Sequence, residues 1–401
     1  MLFIWDLHFK NDKKHEIFQK LEEKINQIKP KNIIFLWDYI YHFAYDPKLI
    51  WEFFDFCLKL SQNWTKVFII AGNHDYIKGH FIFHEVEKIL KFYNTNLKII
   101  SSPQNINIDQ QNILFFPFFS QIIDEEKANN IKNLLSECNL KEKNILDEIF
   151  QQAIYCLQQE DKNTKISWSI NLLLIENYIK FKPDILVHHF YTSDTIFTGQ
   201  SSNFSFKNIA LSNKVFDLPI KIISGHLHKP FVYKNYICVG SFWNTSPLEE
   251  NDTKVIFEYP DKFYQIVINP YISINEEQYE EINENTITNI FNQVIDETEK
   301  NLKSKIIKDN FNLKQFNLII KTLNYNETEK KLSKNLIENI NKITYKWKIK
   351  EVDKIMENLN IDTEKLKTSF SSWKELAEKY IKEKYPENYQ EYLSELQNLN
   401  L

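Results

Sequence analysis

Apolar residues fall into two rhythms along the first half of the chain. Leu2-Phe3-Ile4, Asn32 to Leu36, Lys66 to Ala71 and Ile113 to Phe119 are short apolar runs that read as buried strands. Between them, Ile17, Phe18, Leu21 and Ile25 recur at helical spacing within Lys13 to Ile28, and a second apolar helix is predicted from Leu49 to Leu60. Strands alternating with helices imply a mostly parallel sheet with ligand groups at its carboxyl edge. Residues 121 to 182 read as a helical elaboration, with Ile145, Leu146, Ile149, Phe150, Ala153, Ile154 and Leu157 on one face and a further helix over 170 to 181. Ile185-Leu186-Val187 and Ile222-Ile223 are further strands, and short alternating strands between Phe231 and Tyr259 would close the sheet.

Beyond Tyr259 the pattern changes. A charged helix is predicted over 276 to 308, a strand over 316 to 320 and a helix through Leu332, Leu336 and Ile340. Ile343, Tyr345, Trp347 and Ile349 then alternate with Thr344, Lys346, Lys348 and Lys350, a period-two strand with one lysine face. These make a small β-α-β unit. Ser372-Trp373-Lys374-Glu375 fits a capping box ahead of two short amphipathic helices, whose apolar stripes call for a partner surface or for packing on their own chain. The domains read as 1–260 with the insertion at about 121–182, then 261–352, then a helical segment over 353–401.

Five short words carry the chemistry: Asp6-Leu7-His8, Asp38, Gly72-Asn73-His74-Asp75, His188-His189 and Gly225-His226-Leu227-His228. Each follows a predicted strand, so parallel strands would deliver them to one edge. Taken singly, each has a plain explanation, since Gly-Asn-His-Asp could be a turn and a lone Asp-x-His is common. Their joint order points to divalent metals. Asp38 could bridge two cations; Asp6, His8 and His228 could complete one site, and Asn73, His188 and His226 the other. His189 is the alternative to His188, which is preferred because it directly follows its strand. A set of oxygen and imidazole donors without thiolates suits manganese, iron or zinc. Two metals about 4 Å apart can clamp the attacking and leaving oxygens of a displacement at phosphorus. His74, next to a ligand, can face the substrate and protonate the leaving oxygen, with Asp75 orienting it or its neighbours.

The chain has 401 residues, 43% hydrophobic, with a net charge of -5 that argues against a nucleic-acid coat protein. It contains no arginine and only 5 Gly, a scarcity that marks Gly72 and Gly225 as positions where geometry demands glycine. From Lys300 onward there are 20 Lys against 15 Asp plus Glu, so the last quarter is mildly basic, and all 10 His lie at or before His228. Cys57, Cys138, Cys156 and Cys238 form no paired motif and read as buried thiols of a reduced compartment. With Met1 opening the first strand and no membrane-length apolar run, a cytoplasmic location is expected.

These words resemble the calcineurin-like metallophosphoesterase superfamily, whose pattern is Asp-x-His, Gly-Asp, Gly-Asn-His-Asp/Glu, His and Gly-His-x-His. The closer likeness is to the SbcD family of DNA double-strand-break repair exonucleases. It rests on Asp6-Leu7-His8-Phe9 near the first residue and on Gly240-Ser241-Phe242-Trp243 followed by Glu249-Glu250-Asn251-Asp252. A β-α-β unit and terminal helices follow, similar to that family's DNA-capping domain and ATPase-binding tail. The resemblance implies an α/β sandwich of two mixed sheets flanked by helices, then a small α+β capping domain and C-terminal helices. It implies one manganese on Asp6, His8, Asp38 and His228, a second on Asp38, Asn73, His188 and His226, and a catalytic His74. It also implies DNA as substrate, an SMC-like ABC ATPase of the SbcC type as partner, and a homodimer for which Trp51, Phe53, Phe54 and Phe56 offer apolar surface. Two positions depart from the pattern. Trp37 stands where the family has Gly, and Tyr41, with His42 beside it, stands at a family phosphate contact. Lys346, Lys348 and Lys350 could track a phosphate backbone or simply be a solvated face. The rival expectations are a small-molecule phosphodiesterase whose site the 121–182 helices close, and a weakly active scaffold.

Overall fold

Strands β1 (Leu2–Trp5), β2 (Asn32–Leu36) and β3 (Lys66–Ile70) are almost wholly buried, because a parallel strand covered on both faces needs apolar residues in both phases. The computed structural model describes residues 1–10, 12–36, 38–39, 47–62, 65–77, 80–90, 96–157, 161–192, 209–245, 249–268, 270–275, 283–309, 316–322, 340–341, 344 and 346–351. Helices α1 (Lys14–Ile28) and α2 (Pro47–Gln62) make the crossovers between β1, β2 and β3. Past β3 lie the small pair β4 (Tyr76–Ile77) and β5 (His80–Phe81), helix α3 (His84–Leu90) and β6 (Leu97–Ile100). β15 (Lys254–Glu258) runs antiparallel to β1, β16 (Lys262–Ile266) forms a hairpin with β15, and β18 (Ile306–Ile307) pairs with β16. The first sheet is therefore mixed, in the order β18-β16-β15-β1-β2-β3-β6. Its hairpin spans residue 260, and β18 returns to it from beyond.

The second sheet comprises β7 (Gln104–Ile108), β8 (Gln111–Phe116), β9 (Ile185–His188), β12 (Lys221–Ser224), β13 (Phe231–Tyr233) and β14 (Tyr236–Cys238), in the order β13-β14-β12-β9-β8-β7. Its central pairs are parallel and its outer pairs antiparallel. The strands after Phe231 thus divide: β13 and β14 extend the second sheet and β15 joins the first.

The two sheets pack face to face. Phe3, Trp5, Ile34, Phe68 and Ile70 meet Ile113, Phe115, Ile185, Val187 and Ile223 in one core. On the outer face of the first sheet, Ile17, Leu21 and Ile25 of α1 and Leu49, Phe53 and Cys57 of α2 cover Leu2, Ile4, Phe35 and Ile69. On the outer face of the second, α4 (Glu125–Glu137), α5 (Lys143–Leu157) and α6 (Lys162–Phe181) cover Leu114, Phe116, Leu186 and Ile222. Helix α6 begins eight residues before the predicted start. Its first turns carry Ser167, Ser169 and Asn171, which break the apolar pattern yet are buried. Ser167 accepts from the Ala210 amide, and Asn171 bonds the Ala210 carbonyl and the Ser212 amide. They anchor the strand β11 (Ala210–Leu211), which pairs with β10 (Tyr191–Thr192).

A third sheet joins β17 (Tyr271–Asn275), β19 (Asn317–Thr322) and β20 (Lys346–Glu351), all parallel. Its Ile272, Ile274, Leu318 and Ile320, with Ile287, Phe291 and Ile295 of α7 (Glu284–Leu302), join the inter-sheet core. Lys346 and Lys348 are exposed on β20; Lys350 lies on the same strand at the same phase. In α2, Phe53 is core while Trp51 is 58% exposed. The C-terminal helices of 353–401 lie outside the described residues. No described helix is long and apolar enough to cross a membrane.

Candidate metal centre

The carboxyl ends of β1, β2, β3, β9 and β12 converge, and the five sequence words meet there. Asp6, His8 and His228 bring ligand atoms within 4.8 Å of one another, and so do Asp38, His189 and His226. In the first group the Nε2 atoms of His8 and His228 are 3.3 Å apart. In the second, His189 Nε2 lies 3.1 Å from Asp38 Oδ2, 2.7 Å from Asn73 Oδ1 and 3.1 Å from His226 Nδ1. His189 Nδ1 lies 3.8 Å from Asp6 Oδ1, which brings the two groups together.

His188, the expected ligand, is not in either group. Side chains of a strand alternate. Val187 faces the inter-sheet core, so Leu186 and His188 face the helical layer on the other side, and His189 returns to the side of Val187. His188 is fully buried, its Nδ1 accepts from the Phe190 amide, and its ring lies 5.9 Å from that of Tyr236. The strand end, rather than nearness in sequence to the strand, decides which of the two histidines reaches the site.

The backbone is bent to make this possible. Asp6, His8, Asp38 and His226 all have positive φ, at 38°, 41°, 52° and 75°. Asp and His visit this region more readily than most residues, at a cost of about 1 kcal/mol or more each that the surroundings must offset. They do so through a dense set of bonds. The Asp6 amide donates to Leu36 O, the His8 amide to Asp38 O, the His226 amide to Asp6 Oδ2 and the His74 amide to Asp38 Oδ1. Asp75 is fully buried and accepts the amides of Asp38, Tyr39 and Gly72 at 3.0, 2.9 and 2.8 Å. It therefore orients the loops that carry Asp38 and Gly72, the neighbours of His74. Burial, with Asp38 close by, pushes its pKa up to about 8 against the pull of those three amides. Gly225 is required here, because a Cβ would stand 1.8 Å from the Trp5 ring.

The electrostatics suit cations. Burial, then the neighbouring Asp38, pushes Asp6 well above the usual carboxylate range, and its Oδ1 has no hydrogen-bond partner among the described residues. Burial alone would raise Asp38 too, but His189 and the other imidazoles hold it well below. Burial, then His228, brings His8 down to about 3, and burial with His189 holds His226 well below its ordinary value. Neutral imidazoles offer lone pairs, and buried carboxylates without cations are costly. The residues fit two divalent ions, one on Asp6, His8 and His228 and one on Asn73, His189 and His226, with Asp38 between.

His74 stands at the opening. Its side chain is 30% exposed, its Nε2 is 3.9 Å from Asp38 Oδ2, and its ring meets that of His8 edge-on at 5.5 Å. Three groups escaped the sequence reading. Tyr191 places its ring edge-on to His226 at 3.9 Å. Glu249 Oε1 lies 2.8 Å from His228 Nδ1, and the buried Lys254 bonds Glu249 at 2.7 Å. Only the position of Glu249 after Gly240-Ser241-Phe242-Trp243 could have pointed to it. Trp37, Tyr41 and His42 lie outside the described residues.

Comparison with known proteins agrees with this geometry. The family model for calcineurin-like phosphoesterases matches residues 2–230, more than half of the chain. No curated protein matches it. Among solved structures, a protein of unknown function from Aquifex aeolicus is 15% identical over 56% of this chain and 88% of its own, with a TM-score of 0.23. That overlay is too loose to bear on fold or activity.

Proposed function

The chain belongs to the calcineurin-like phosphoesterase family, and from that premise we propose that it is a manganese-dependent DNA exo/endonuclease working with an SbcC-type ABC ATPase. The family makes it a metal-dependent phosphoester hydrolase; manganese, DNA and the ATPase partner are the proposed refinement. The observation that carries the reading is the pair of ligand groups meeting at Asp38, with the half-exposed His74 beside them. When bound, two divalent ions neutralise phosphate charge and lower the pKa of water. Asp6, His8 and His228 would hold one, and Asn73, His189 and His226 the other, with Asp38 shared. His74 would carry a proton to the leaving oxygen, its backbone fixed by the bond to Asp38 Oδ1. Asp75 would keep the Asp38 loop in place.

DNA is favoured over a small ester by two features. Helices α4, α5 and α6 cover the outer face of the second sheet instead of closing over the site. The exposed Lys346 and Lys348 give the third sheet a cationic edge strand suited to a phosphate backbone. Trp51 on α2 would contribute to a homodimer, and the 353–401 segment to ATPase docking.

Incubating the purified protein with manganese and labelled duplex or single-stranded DNA, beside His74→Ala and a small phosphodiester, tests the proposal. DNA cleavage that His74→Ala removes is expected. Turnover of only the small ester would sink the nuclease reading, and turnover of neither would favour a scaffold.

A further inference from the structure

His228 is held by a second buried network. Glu249 and Lys254 are 8% and 2% exposed, and they form an ion pair of 2.7 Å. Glu249 Oε1 lies 2.8 Å from His228 Nδ1 and accepts from Thr245 Oγ1, while Oε2 accepts from Ser241 Oγ at 3.1 Å. Lys254 Nζ also donates to the carbonyl oxygen of His228 at 3.0 Å, and the Ser241 amide donates to the same oxygen. One ion pair thus grips the ligand at both its ring and its backbone. Gly240, at φ 82°, lets the chain pass, since a Cβ there would lie 2.7 Å from that carbonyl.

A buried carboxylate and a long-stemmed ammonium are costly to order and desolvate. Packing alone would not need them at this place, where apolar residues would suffice. Their geometry does one thing that apolar residues cannot. A carboxylate facing Nδ1 fixes the proton there, which leaves Nε2 as a lone pair directed at His8 Nε2, 3.3 Å away. Ligating histidines depend on such outer partners for their tautomer and orientation.

We propose that Glu249, held by Lys254, is a positioning residue that sets the tautomer and direction of His228 for one of the two ions. The inference rests on the two-metal reading of the site but reaches residues that lie outside the matched span of 2–230.

The test uses the full chain labelled with ¹⁵N-histidine and stripped of metal. Long-range nitrogen spectra should show the His228 proton on Nδ1. Manganese titration of Glu249→Gln should then show one of two ions bound about 10- to 100-fold more weakly and the other unchanged. A proton on Nε2 in the unaltered chain, or equal manganese affinities in the folded variant and the unaltered protein, would overturn the inference. If the unaltered chain took up no divalent ion, the metal reading itself would fail, and the tautomer would still decide the role of Glu249.

Discussion

Asp38 shows how much one residue is asked to do at this site. Its left-handed backbone turns its carboxylate toward four imidazoles, its amide is fixed by Asp75, and its Oδ1 receives the His74 amide. Around it stand the side chains that would hold ions, with His74 beside them at the opening. His74→Ala should leave folding and metal uptake intact while lowering the cleavage rate by about 10²- to 10⁴-fold, read from single-turnover kinetics. An equal loss of metal uptake would instead make His74 a ligand. Gly225 is a packing requirement of the same site. Gly225→Ala drives a methyl into the Trp5 ring, and urea unfolding should show a loss of about 2 kcal/mol or more. An unchanged midpoint would mean the strand end can shift without harm.

At the scale of elements, the apolar strands and the amphipathic helices were legible because their burial is regular. β1, β2, β9 and β12 fall within a residue or two of the expected bounds, as do α1 and α2. β17 and the start of α6 were missed because their polar residues are satisfied by distant partners. Ser273 of β17, for example, is bonded by Asn251, and Asn171 of α6 by residues 210 and 212. Such partners have no trace in local periodicity. Of the seven predicted ligands, six converge, since strand ends place them. The seventh failed because two adjacent histidines differ only in which face of the sheet they take, and the run before them is apolar in both phases. Asn171→Leu would remove both bonds to the strand at 210–212 and should cost about 1 to 3 kcal/mol by urea unfolding. Lys346 and Lys348 are exposed, and their role belongs to the proposal. Replacing Lys346 and Lys348 together by Glu should weaken DNA binding and flatten its dependence on salt, measured by fluorescence anisotropy across salt concentrations. An unchanged salt slope would assign those lysines to a merely solvated face.

For the whole molecule, the first two sheets, the third sheet and α7 share one inter-sheet core while α1, α2 and α4 to α6 cover the outer faces, so the site is set between layers that cannot move independently without exposing it. The third sheet and α7 belong to that core, although they follow the span that matches the family. Removing residues 353–401 should therefore spare manganese-dependent cleavage of single strands while abolishing ATPase binding in a pull-down. Retained binding would assign docking to another surface.

The central claim is that two ions sit on ligands that include His189 and exclude His188. Titrating the metal-stripped chain with manganese by calorimetry tests it most directly. The account predicts two ions per chain, two again in folded His188→Gln, and loss or severe weakening of one in His189→Ala. Two ions held undiminished by His189→Ala, with one lost in His188→Gln, would contradict it.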